Sequence, residues 1–248
     1  MLFNWFDKAP LLEEASTQWL LQSFSWCRDH FDADFFYQQT PLVIPSNQFF
    51  PGRADSVHGM AELIFERVKT YAGMAHWPFE LLEPGQCALD APLQIQIEDP
   101  LRGTDLPPAA ADLPRLPVQY DPRQINNPEA MIATYAHALA YYLSGTATQP
   151  PPGDPEHHPH ATEVLAIFMG FGLMFANSAF TFRGGCGSCQ TVGRAAYLSE
   201  FEATYALAIF CVLKEIPPRQ VTPYLKKHLR GFFKRAMREV SVENIKKG

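Results

Sequence analysis

Two histidine-bearing segments and one cysteine pair hold the residue types whose spacing could do chemistry. The first is the hexapeptide AHALAY at 136–141. A helix carrying H-E-x-x-H sets two imidazoles four residues apart on one face for zinc. It also supplies the glutamate that takes a proton from the metal-bound water. Here His137 keeps the first histidine position, Ala138 stands where the glutamate would be, and Tyr141 replaces the second histidine. Alanine cannot act as a base, and a tyrosine oxygen is a poor zinc ligand until ionised, with a reference pKa of about 10. The second segment, QPPPGDPEHHPH at 149–160, carries His157, His158 and His160 just ahead of Glu163. A catalytic zinc takes three protein ligands and an open water position. His137, Glu163 and one loop histidine, taken as His158, would make such a set. The plainer reading makes His137 a core histidine bonded to Tyr141, Thr134 or Glu163, and the loop histidines solvated. Glu163 then becomes a charge at a helix start, favourable near the positive end of the dipole. The third candidate is Cys186-Gly-Ser-Cys189, where one thiolate could attack and the other resolve. No thioredoxin-like βαβ context precedes it and no second cysteine pair matches a zinc spacing, so free thiols in a glycine loop are the simpler reading. P-loop, dinucleotide and G-x-S-x-G fingerprints are all absent.

His137 is carried by a helix expected over 130–144. Ile132, Tyr135, Leu139 and Tyr142 form one apolar stripe, and Thr134, His137 and Tyr141 a second, so the helix should be covered on most sides. Pro128 and Glu129 suit its first turn and Gly145 its end. A second helix over 162–182 should carry Glu163. Its 19 uncharged residues from Val164 to Phe182 are long enough for a membrane span. Gly170, Gly172, Asn177, Ser178 and Thr181 favour a buried core helix instead. The spacing further predicts helices over 10–30, over 55–71 with Asp55 or Ser56 as N-cap, from the Ser199/Glu202 capping box to Pro217-Pro218, and from Thr222-Pro223 onward. Short strands are expected at 42–44, 79–82, 93–97 and 120–125.

Composition bounds the reading. The 248 residues suffice for a single domain with a sizeable core, and a charged fraction of 19% belongs to a folded chain. A net charge of −6 gives no reason to expect nucleic acid. From Lys214 onward, ten basic residues face three acidic ones, leaving −13 on the first 213 residues. That basic stretch could touch an acidic partner or a membrane surface, although a solvated helix face is the ordinary explanation. Five cysteines (Cys27, Cys87, Cys186, Cys189, Cys211) and a start lacking a signal-peptide pattern point to a reducing cytoplasm.

Four phrases carry a family resemblance: AHALAY at 136–141, TEVLAIFMGFGLMFANS at 162–178, AYLSEFEATYALAIF at 196–210 and FFPGRAD at 49–55. Together they resemble an uncharacterised bacterial family with a zincin-like core, whose members carry an A-H-E-L-A/G-H helix. The resemblance implies a predominantly helical α+β fold: one zincin-like domain over 1–248 with a small sheet beside the two central helices. It implies His137 as first metal ligand and Glu163 as the carboxylate. With Ala138 and Tyr141 in the motif, the expectation is a pseudo-metallopeptidase that binds an unidentified protein or peptide, or a small ligand, in a cleft lined by His137, Tyr141 and Glu163. No cofactor is expected, with zinc the candidate if one is held. Nucleic acid and membrane are not expected partners. The alternatives are a metal-dependent hydrolase using His137, a loop histidine and Glu163, and a thiol-redox or metal protein using Cys186 and Cys189.

Overall fold

A computed structural model describes residues 10–83, 97, 100–109, 113–179 and 196–240. The chain is mostly helical. In order come α1 (Glu14–His30), α2 (Ala33–Gln38), α3 (Val57–Ala72), β1 (Phe79–Leu82), β2 (Leu116–Gln119), α4 (Pro128–Ser144), α5 (His158–Ala166), α6 (Gly172–Ser178), α7 (Glu200–Leu213), α8 (Pro218–Val221) and α9 (Leu229–Glu239). The strands pair in parallel, Phe79 opposite Leu116 and Leu82 opposite Gln119. The fold class is therefore helical α+β, as expected from the sequence.

Helix α4 is the central element. Pro128 occupies its first turn, the Asn127 side chain accepts from Ala130 N–H, and Gly145 caps its end. Thirteen of its residues are buried, including Ile132, Tyr135, His137 and Leu139. It packs against α3, α5 and α6, while α7 lies between α6 and α9. The Tyr142 hydroxyl donates to Pro117 O at 2.9 Å and fastens α4 to the sheet. An apolar helix without a polar face reaches this position because neighbours cover it on several sides.

Several boundaries differ from expectation. The apolar helix expected from Thr162 starts at His158, because Pro159 is accommodated in a first turn, where no N–H is required. It breaks at Gly170, whose φ of 101° and ψ of 1° interrupt a π-helical turn over Ile167–Phe171. The expected strand at 42–44 forms no sheet. It crosses this break instead, with Val43 N–H donating to Gly170 O at 3.0 Å. The extended piece expected at 120–125 lies earlier, at Leu116–Gln119. Pro122–Asn126 forms a 3-10 turn because the Asp121 carboxylate captures Arg123 N–H. The last helix begins at Leu229 rather than at Thr222-Pro223. Thr222–Tyr224 is a 3-10 turn followed by an extended Leu225. The Ser56 cap and the reciprocal Ser199/Glu202 capping box form as expected. The strand expected at 93–97 falls almost wholly outside the described residues. Taken together across the break, Pro155–Ser178 is the one helical stretch among the described residues long and apolar enough to cross a membrane, and its apolar window is entirely buried within the protein.

Candidate functional site

The site grows from α4 and α5, which pack side by side. One helical turn separates His137 from Tyr141, so both lie on the same face of α4. His137 is 7% exposed, whereas Tyr141 is 43% exposed. Glu163, on α5, is completely buried.

The segment leading into α7 closes over these residues. The Tyr197 ring lies nearly parallel to the His137 imidazole, with centroids 6.3 Å apart and an interplanar angle of 18°. The next residue, Leu198, is buried, and its backbone N–H donates to Glu163 Oε2 at 2.8 Å. Ser199 then caps α7, its hydroxyl accepting from Glu202 N–H. Three consecutive residues are thus pinned by three different means: a ring, a backbone amide and a cap. An intramolecular hydrogen bond contributes roughly 0.5–1.5 kcal/mol, a cap about 1 and an aromatic pair about 0.5–1.5.

A path of rings extends from Tyr197. His160 lies 5.5 Å from Tyr197, His157 lies 5.7 Å from His160, and Trp19 of α1 sits 6.4 and 6.3 Å from His157 and His160. The Trp19 indole donates to Pro152 O and the Trp26 indole to Gln149 O, which holds the proline-rich loop against α1. The loop histidines are therefore part of an anchored surface, His157 exposed and His160 half-buried. His158 is half-buried, and its carbonyl accepts from the Thr162 hydroxyl at 3.0 Å. His58 is held by Tyr120, with Nδ1 3.2 Å from the phenol oxygen.

Among the described residues no group of three His, Cys, Asp or Glu side chains converges to hold a metal. His137, His158 and Glu163 are all described, and Glu163 Oε2 already accepts the Leu198 amide. Neither Ala138 nor Tyr141 restores the motif.

Cys186, Cys189 and Cys87 lie outside the described residues. Cys27 and Cys211 are free and buried, and burial pushes both thiols upward; the Arg102 guanidinium only partly offsets this at Cys27. Neither is placed to act as a nucleophile. An open depression elsewhere, lined by Asp32, Phe35, Gln39, Arg102 and Thr104, includes none of the α4–α5 residues. Arg102 turns its guanidinium inward, Nε donating to Ala72 O and Nη2 to Thr40 Oγ1, so it offers that depression little charge.

The one sequence signal near Tyr197 is the capping box that opens two residues later at Ser199, which fixes where the chain enters α7. Nothing local pointed to Trp19 as a partner of the loop histidines, because that contact joins residues more than 130 apart. No protein-family model, no curated protein and no solved structure matches this chain.

Proposed function

We propose that this is a catalytically degenerate zincin-like protein, a pseudo-metallopeptidase that acts by binding a protein or peptide partner. The observation carrying the reading is the closure of the α4–α5 face by the chain's own segment: the Tyr197 ring lies nearly parallel to the His137 imidazole and the Leu198 amide donates to Glu163 Oε2. Ala138 leaves no base for activating water.

What remains accessible is aromatic. Tyr141 and Tyr197 are 43% and 38% exposed, and the half-buried His160 adjoins Tyr197. Tyrosines present a broad apolar ring with a hydrogen-bonding tip at low entropic cost, which suits them to peptide recognition. The free thiols Cys27 and Cys211 support assignment to a reducing compartment, the cytoplasm.

The test is elemental analysis of the untagged protein beside His137→Ala, followed by selection from a peptide library. The expected result is no stoichiometric zinc in either protein, no chelator effect on melting temperature, and a selected peptide that binds at least about tenfold more weakly to the Tyr141→Ala/Tyr197→Ala double variant. Stoichiometric zinc that disappears in His137→Ala, together with peptide cleavage, would sink the proposal in favour of a hydrolase using His137, a loop histidine and Glu163.

A further inference from the structure

Helix α9 carries a cationic face whose charge the fold leaves largely unbalanced. Lys227, Arg230, Lys234, Arg235 and Arg238 are all exposed on it or on the turn before it. Among the described residues none of the five is in an ion pair. Arg230 donates to the carbonyls of Leu225 and Pro223, and Arg238 to that of Lys234. The one acidic residue of the helix, Glu239, accepts from the Tyr205 hydroxyl at 3.2 Å. Lys226, next along, has the Glu129 carboxyl near it. Arg230, Lys234 and Arg238 follow one another at steps of four, an arrangement of like charges that weakens a helix.

The opposite face is fully used. Leu229, Phe233, Ala236 and Val240 are buried, and α9 packs on α7. Whatever meets the cations must therefore meet a docked helix. Exposed rings flank the charges: Phe201, 41% exposed and 5.0 Å from Phe232, and Tyr224, 40% exposed between the two carbonyls that hold Arg230. In the middle lies Gly231, with nothing within 4 Å of where a Cβ would stand. Among the described residues no contact explains a glycine in this helix, and it leaves bare backbone within one turn of Lys227, Lys234 and Arg235 that a phosphate can approach.

From these features we propose that α9 and the turn before it dock the protein on an anionic phospholipid surface. Clustered cations on an amphipathic helix with aromatic rings at the rim suit a headgroup layer. Residues 1–213 carry −13, which repels a flexible polyanion passing alongside. A planar surface meets a single face of the molecule.

The experiment is co-sedimentation of the full chain with vesicles of phosphatidylcholine alone or mixed with phosphatidylglycerol. Binding is expected to the anionic vesicles only, and to fall as salt shortens the screening length from about 10 Å toward 3 Å. Neutralising Lys227, Lys234 and Arg235 together to Gln is expected to weaken it about a hundredfold, at about fivefold per cation, with the circular dichroism unchanged. The charge-reversed triple, Lys227→Glu/Lys234→Glu/Arg235→Glu, should lose more. Phe201→Ala should weaken binding without altering its salt dependence. Equal binding to neutral vesicles, undiminished binding by the triple variants, no binding at all, or tighter binding to a single-stranded oligonucleotide would each overturn the proposal. None of these outcomes bears on the α4–α5 face, whose metal and peptide tests stand apart.

Discussion

Replacing Gly170 by alanine should be among the most damaging single changes in the molecule. Gly170 sits at φ 101°, ψ 1°, inside the broken helix between α5 and α6. A side chain there faces two separate penalties. The backbone conformation itself costs a non-glycine residue roughly 1–3 kcal/mol. A Cβ would also run into the carbonyl oxygen of Pro41, well inside the 3.0 Å that real Cβ contacts respect. The obstacle is backbone, held in place by the Val43 N–H bond to Gly170 O, so it cannot rotate away as a side-chain tip could. Overpacking of this kind costs about 1–3 kcal/mol more. The midpoint, about 4 kcal/mol, corresponds to a melting temperature lowered by about 8–16 °C for a chain of this size. Differential scanning calorimetry of Gly170→Ala measures it, with Gly231→Ala as the matched control. Gly231 lies in α9 in open space, and alanine there should raise stability by roughly 0.8–1 kcal/mol through helix propensity alone. A shift of less than about 2 °C in Gly170→Ala would refute both the left-handed break and the strap across it.

Other outcomes follow from buried polar groups. Both ring nitrogens of His76 are buried without a hydrogen-bond partner among the described residues, and burial holds its pKa below the usual histidine value. The unfolded chain therefore binds the proton more readily than the folded one. Stability contributed by neutral His76 is fully present above about pH 6.5 and is lost as pH falls from there through the lower folded pKa. Urea midpoints from pH 7.5 to 5 should fall less steeply in His76→Leu than in the parent; identical slopes would refute the assignment. Arg102 is 1% exposed, lies 4.8 Å over the Phe35 ring, and has its pKa lowered to about 10 by burial, so it remains charged at neutral pH. Arg102→Ala leaves the Ala72 carbonyl and the Thr40 hydroxyl without their donors and should cost about 3 kcal/mol, measured by urea unfolding. Cys27 and Cys211 should resist a thiol reagent in the folded protein and react once denaturant is added. Rapid labelling at either position in native buffer, located by mass spectrometry, would contradict their burial.

Some of this molecule is local and could be read from the chain. Pro128 starts α4, Ser199 and Glu202 build a reciprocal cap, and the unbroken apolarity of α4 announces a helix surrounded by others. These depend on hydrogen bonds three residues apart and on a period of 3.6, which the order of residues expresses directly. The motif chemistry is equally local: Ala138 and Tyr141 remove a base and an imidazole wherever the helix goes. The extended run at 42–44 was legible, but its docking partner was not. Whether it joins a sheet or bridges a helix break depends on Gly170, well over a hundred residues away, adopting a positive φ against Pro41.

The α4–α5 face belongs mainly to tertiary structure. By sequence Glu163 is a helix-start charge or a metal ligand; in the fold it is buried, and the segment ahead of α7 brings the Leu198 amide to it. The loop histidines looked solvated, yet Trp19 anchors their loop through Pro152 and brings His157 and His160 into a path of rings ending on His137. Side-chain types and short spacings state which interactions a residue can make. Only packing of distant segments decides which partner is within reach, because an exposed and a buried carboxylate are the same letter until a neighbouring backbone supplies the hydrogen bond.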